Sequence, residues 1–171
     1  GDIAIVAMNA DGTKKFSFVA LVDIPANEGI KFTDNGWLAS NAFRPNEGIL
    51  QWWSTAAVTA GSVVTIDMTS PGSATVGLVT GTMPNFAGSG DQLLAYQGEN
   101  ASPTFLFAVN DEESSWQTDS TNSNTSALPQ GLTNGTSAVA LPELDNYTYI
   151  GITSGTKADL LAAITNSSNW S

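Results

Sequence analysis

The rhythm of short β-forming runs and turns constrains this chain more than any other feature. Runs rich in β-branched and aromatic residues alternate with clusters of Gly, Asn, Asp and Pro. Such runs, recurring at roughly 8–12 residues, specify a sandwich or barrel. The first covers residues 2–8 and closes at the turn Asn9-Ala10-Asp11-Gly12. Residues 16–22 follow, with Phe16, Phe18, Ala20 and Val22 on one side by alternation. Residues 29–33 run into Asp34-Asn35-Gly36, and residues 49–53 and 62–68 complete the first half. Between these last two, residues 54–61 form a loop with Ala57 and Val58 tucked beneath it.

The stretch 70–90 contains Pro71-Gly72, Pro84 and Gly88-Ser89-Gly90, and reads as irregular apart from one strand over 75–79. Residues 91–96 and 104–109 make a hairpin across 97–103. Residues 110–135 are polar and turn-rich, and a loop this long usually carries function or lacks order. Strands over 137–141 and 147–152 come last. Only residues 156–165 read as a helix, capped by Thr156 with Asp159 three positions on, and with Leu160, Leu161 and Ile164 on one face. The fold expected is all-β: an immunoglobulin-like or jelly-roll β-sandwich with one short C-terminal helix, in a single domain spanning 1–171.

Composition narrows what such a fold can do. The 171 residues, 42% hydrophobic, suffice for a core without staples. Sixteen acidic residues against five basic ones give a net charge of -11. Lys14, Lys15, Lys31, Arg44 and Lys157 are too few and too scattered to neutralise phosphates, so nucleic acid is not an expected partner. The same charge repels anionic lipid, and no apolar run is long enough to insert into a membrane. The chain has no cysteine and no histidine. That excludes thiolate or imidazole zinc sites and Ser-His-Asp or Cys-His catalysis. Only 12% of residues are charged, while Ser, Thr, Asn and Gly abound, a composition suited to an extracellular or cell-surface protein. Asn-x-Ser/Thr acceptors for glycosylation begin at Asn100, Asn124, Asn134, Asn146, Asn166 and Asn169.

Several stretches together resemble modules repeated in large secreted and surface proteins of bacteria. They are Gly1-Asp2-Ile3, Phe18-Val19-Ala20-Leu21, the run from Ile30 to Trp37, the run from Gly90 to Gly98, Ala127 to Leu132, and the ending from Ala163 to Trp170. The layout is also distantly similar to bacterial lamin-tail domains, with a Gly-Asp opening, a strand ending in a Gly-Trp corner and a later Gly-Asp strand. That resemblance implies an immunoglobulin-like sandwich serving as a non-catalytic accessory domain. It carries no catalytic residues onto this chain.

Three constellations could carry chemistry. Asp111, Glu112 and Glu113 form the densest acidic cluster, and calcium needs six to eight oxygen ligands of this kind. Ca2+ is the one cofactor expected, here ahead of the shorter Asn9-Ala10-Asp11-Gly12 and Asp34-Asn35-Gly36 fragments, which ordinary turns also use. Carboxylate pairs could serve glycoside hydrolysis, but no local motif favours one pair, and the chain is not expected to be an enzyme. Tryptophans stack on sugars or anchor interfaces. Trp52 and Trp53 are neighbours in a strand, so one enters the core and the other faces outward. Trp116, in the polar loop, is expected to be exposed, whereas Trp37 and Trp170 are expected in the core.

The function expected is a non-catalytic extracellular structural or adhesive module that assembles with copies of itself at the cell surface. The alternative is a carbohydrate-binding module, calcium-assisted, of a secreted multidomain protein. Copies of itself or surface polysaccharide are the expected partners, met through Trp52, Trp53 or Trp116.

Overall fold

Phe16 and Phe18 lie two residues apart, so a strand puts both on one face of its sheet. The computed structural model, which describes all of residues 1–171, turns both inward to full burial. They belong to β2 (Lys15–Ala20), which pairs with β1 (Ile3–Asn9) and β5 (Val63–Asp67). The short β6 (Ser73–Ala74) flanks β5, and β11 (Asn146–Thr148) flanks β1, giving a five-stranded antiparallel sheet. The second sheet has six strands in the order β10-β9-β8-β3-β4-β7. These are β3 (Gly29–Thr33), β4 (Ile49–Trp53), β7 (Leu78–Gly81), β8 (Gln92–Glu99), β9 (Ser102–Asn110) and β10 (Ala138–Ala140). Only β10 runs parallel to its neighbour.

The two sheets close over an aromatic core. Phe32 of β3 stands 4.8 Å from Phe16 and 5.2 Å from Phe18 between ring centroids, and Phe18 meets Trp52 edge-on at 5.1 Å. Each such pair adds about 0.5–1.5 kcal/mol beyond its buried area. The architecture is the expected all-β sandwich with a single short helix, α1 (Lys157–Ile164). Thr156 and Asp159 cap that helix reciprocally. The Asp159 amide donates to Thr156 Oγ1 at 3.2 Å, and the Thr156 amide donates to Asp159 Oδ2 at 3.0 Å. Ile164 is its buried residue, with Leu160 and Leu161 partly covered.

A second apolar layer lies on the outer face of the six-stranded sheet. β8 and β9 are buried on both sides: Leu93, Ala95, Phe107 and Val109 face the core, while Leu94, Tyr96, Phe105 and Ala108 face outward beneath a cover. Trp37 and Phe43 from the β3–β4 connection form part of that cover, with Trp37 edge-on to Phe105 at 4.9 Å. The segment 111–137 supplies the rest through Ala127 and Leu132. Two amides pin it to the sheet. Gln92 Nε2 donates to Ser123 O at 2.8 Å, and Asn110 Nδ2 donates to Glu113 O and Ser115 O, both at 3.0 Å. The long polar segment is therefore ordered packing material, a role its composition conceals.

Some local expectations shift. β3 and β4 fall where the sequence puts them. The single strand expected over 75–79 is instead two, β6 and β7, in different sheets. Gly77, with φ of 88°, turns the chain across between them. Regular pairing of β11 ends at Thr148; the Tyr149 amide still donates to Val6 O at 2.9 Å, and its other side bridges to Trp170. Val58 is buried under its loop, but Ala57 is exposed. Trp37 and Trp170 are buried, as expected.

Removing the ring of Phe32, where two phenylalanines converge, should cost about 3–5 kcal/mol. Chemical denaturation of Phe32→Ala measures it. A loss below about 1 kcal/mol would show that the two sheets do not depend on this contact.

Candidate functional site

The outer cover spans β8, β9 and β10 but leaves much of β3, β4 and β7 open. Along β4, Leu50 and Trp52 point into the core while Gln51 and Trp53 point out. The adjacent tryptophans thus divide as strand geometry requires. Trp52 is fully buried, and its Nε1 donates to Val76 O at 2.7 Å. Trp53 is 39% exposed. Its cross-strand partners are Gly29 on one side and Leu78 on the other. The six-membered ring of Trp53 lies over Gly29, where a Cβ would come within 2.9 Å of it. Leu78 and Val76 are also solvent-exposed, so an apolar strip runs along the β4–β7 edge.

Polar groups adjoin the strip. Gln51 lies opposite Lys31 on β3 and Thr80 on β7. Lys31 Nζ donates to Gly98 O at 2.9 Å and to Asn100 Oδ1 at 3.1 Å, and sits 5.8 Å from the Tyr96 ring centroid. A flat indole flanked by an amide, a hydroxyl and an ammonium can stack against an apolar surface and hydrogen-bond its rim. That surface can be a sugar ring or a partner's side chain.

The acidic residues behave differently. Asp34, Asp91 and Asp111 are each 2% exposed. Asp34 accepts from the Gly48 amide at 2.9 Å and the Asn85 amide at 2.7 Å. Asp91 accepts from the amides of Ala87 and Gln92, both at 2.8 Å, and Asp111 from the Asp91 amide at 2.6 Å. These carboxyls staple loops to the end of the sheet. Burial pushes Asp91 up to about 9 against those hydrogen bonds, helped by the charges of Asp34 and Glu47. Burial likewise pushes Asp111 up to about 7, and Glu47 up to about 7 with Asp34 adding to it. Perturbed carboxyls often mark catalytic sites. The three aspartates here are closed to substrate and occupied by backbone.

The acidic run at 111–113 is split by the fold. Asp111 is turned inside, Glu112 is half-buried, and exposed Glu113 accepts from Ser115 Oγ at 3.4 Å and from Gln117 Nε2. No three acidic side chains in the molecule gather so as to hold an ion by themselves. Trp116 is not the exposed ring expected from its polar surroundings. It is half-buried against the outer apolar layer, and its Nε1 donates to Asn134 Oδ1 at 3.2 Å. Trp52 is core rather than contact surface, which leaves Trp53 as the outward tryptophan.

Among the glycosylation acceptors, Asn100, Asn134, Asn146 and Asn166 are exposed. Asn124 and Asn169 are half-buried, and their amide nitrogens, the atoms a glycan would take, donate to Ser89 Oγ and Ala163 O, both at 2.8 Å. Sequence reasoning overlooked Gln51, Lys31, Thr80 and Leu78 around Trp53. Period-two alternation from Trp53 would have found Gln51, whereas the others needed the strand register. No protein-family model, curated protein or solved structure matches the chain.

The raised carboxyls set a pH dependence. Glu47 keeps its proton in the folded state up to about 7, above its ordinary value of 4.5. The native state then binds more protons than the unfolded one across that window, and stability falls as pH rises through it. Glu47→Gln should flatten the decline between about pH 4.5 and 7 by close to one proton. Denaturant titrations across that range measure the slope, and an unchanged slope would mean that Glu47 titrates normally.

Proposed function

We propose that this chain is a non-catalytic extracellular adhesive module that meets copies of itself through the open strip on β4 and β7. The exposure of Trp53 beside Leu78 and Val76 at a sheet edge carries this reading. Buried tryptophans dominate interface hot spots, and edge strands offer backbone groups to a neighbour's strand. With a net charge of -11, copies repel one another at low salt. Short-range apolar contact and strand pairing must then overcome that field, and the strip offers both. The absence of histidine and cysteine, and the burial of the perturbed aspartates, support a non-catalytic role. The resemblance to modules of bacterial surface proteins, and the distant similarity in layout to bacterial lamin-tail domains, are compatible with it.

A second reading takes surface polysaccharide as the partner. Gln51, Thr80 and Lys31 favour it, because they place hydrogen-bonding groups beside the indole, where sugar hydroxyls would lie.

Trp53→Ala separates both readings from a bystander role. It should weaken assembly or polysaccharide binding by about 2 kcal/mol or more. The melting temperature should change little, since the ring is partly exposed. Trp52→Ala, by contrast, should destabilise by about 3–5 kcal/mol. Sedimentation velocity over a concentration series reads self-assembly, and co-sedimentation with insoluble polysaccharide reads the second partner. Unchanged behaviour of Trp53→Ala in both assays would remove the strip from the account.

A further inference from the structure

Four buried side-chain atoms in the molecule have no hydrogen-bonding partner, and all four are oxygens: Glu47 Oε2, Gln92 Oε1, Asn110 Oδ1 and Glu112 Oε2. The shortage is of positive charge or of donors, not of acceptors. Buried polar groups are normally satisfied, so a set biased this way calls for a ligand that supplies what is missing.

Three of the four belong to one corner. Gln92 and Asn110 are directly opposite in the β8–β9 ladder. Their side chains share the outer face, with Cβ atoms about 5 Å apart. Both are at least nine-tenths buried, at 0% and 1% exposure. Their amide orientations are fixed. Gln92 Nε2 donates to Asp34 O and Ser123 O, and Asn110 Nδ2 donates to Glu113 O and Ser115 O. Flipping either amide would set oxygen against carbonyl oxygens, so each Oε1 or Oδ1 must stay where it is. Glu112 follows Asn110 by two residues and lies against Gly90, two residues before Gln92. The bonds to Ser123, Glu113 and Ser115 hold the segment 111–125 against both amides.

We propose that a calcium ion binds beneath that segment, held by Gln92 Oε1, Asn110 Oδ1 and the Glu112 carboxylate. Neutral amide oxygens with one carboxylate suit a hard cation that takes six to eight oxygens at about 2.3–2.6 Å, the remainder coming from loop carbonyls and water. Magnesium demands tighter octahedral geometry and sheds water reluctantly, so the corner selects against it. With one carboxylate among the three, half-saturation falls on the order of 1 mM, the range of extracellular modules. The site differs from the Asp111–Glu113 triad expected from sequence: Asp111 is committed to the Asp91 amide, and two amides absent from that triad replace it.

The test uses the full chain after chelation. Melting temperature is followed against calcium and, at matched ionic strength, against magnesium, with tryptophan-sensitised terbium emission as a direct readout of occupancy. Calcium should raise the melting temperature with a midpoint on the order of 1 mM. Magnesium should do far less. Glu112→Gln should weaken calcium and terbium binding by about tenfold or more, while Glu99→Gln, on the exposed end of β8, should not. No calcium dependence in the wild type would overturn the proposal and leave the oxygens to buried water. Equal effects of calcium and magnesium would overturn it in favour of simple screening of the acidic charge. An undiminished calcium response in Glu112→Gln would place the ion elsewhere. The wild-type comparison of the two cations stands even if the variant fails to fold.

Discussion

A hairpin with two apolar faces governs this structure. β8 and β9 present Leu93, Phe107 and Val109 to one side and Leu94, Tyr96 and Phe105 to the other. Neither face tolerates water at a cost of about 25 cal/mol per Å². The five-stranded sheet covers the first. The second needs a layer that contains no regular strand or helix of its own, and the segments around Trp37, Phe43, Ala127 and Leu132 provide it. Backbone in such a layer must still find partners. Ser126 and Ala127 answer this at Trp37, whose amide donates to Ser126 Oγ and whose carbonyl accepts from the Ala127 amide, both at 2.9 Å.

The demand for satisfied backbone explains the chemistry of the acidic end. Loops without strands expose amides, and Asp34, Asp91 and Asp111 meet them from inside. The trade is asymmetric. A carboxyl accepts well from an N–H but loses hydration, so its proton affinity rises. Three of the sixteen acidic residues, Asp111 of the acidic run among them, are therefore internal scaffolding, and the open chemistry moves to the sheet face that the cover leaves bare.

Strand positions were legible because alternation and turn residues are local signals. Residues 29–33 and 49–53 carry both, and their boundaries emerge from the sequence unchanged. The helix was legible for the same reason: Thr156 and Asp159 are three residues apart. The split of 75–79 into two sheets was not, because it depends on where neighbouring strands lie. Trp116 misled for a related reason. Its neighbours in sequence are polar, whereas in space it packs against the buried apolar cluster on the outer face of the six-stranded sheet. The roles of Gln92 and Asn110 were hidden too. Each looks like an ordinary polar strand end until the register sets them face to face.

Gly29 has a consequence for recognition beyond fitting a ring. Because no side chain rises from it, the Trp53 indole has a fixed seat against the sheet instead of a free sweep through solvent. Ordering a mobile side chain at an interface costs about 0.5–1.5 kcal/mol, and a ring already seated in the free protein has surrendered much of that freedom on folding. The glycine thus acts on affinity from beneath the contact surface, through the entropy of the unbound state. Any larger residue at position 29 would unseat the ring, and with it the Gln51 amide that lies nearer still, without changing the chemistry of either group.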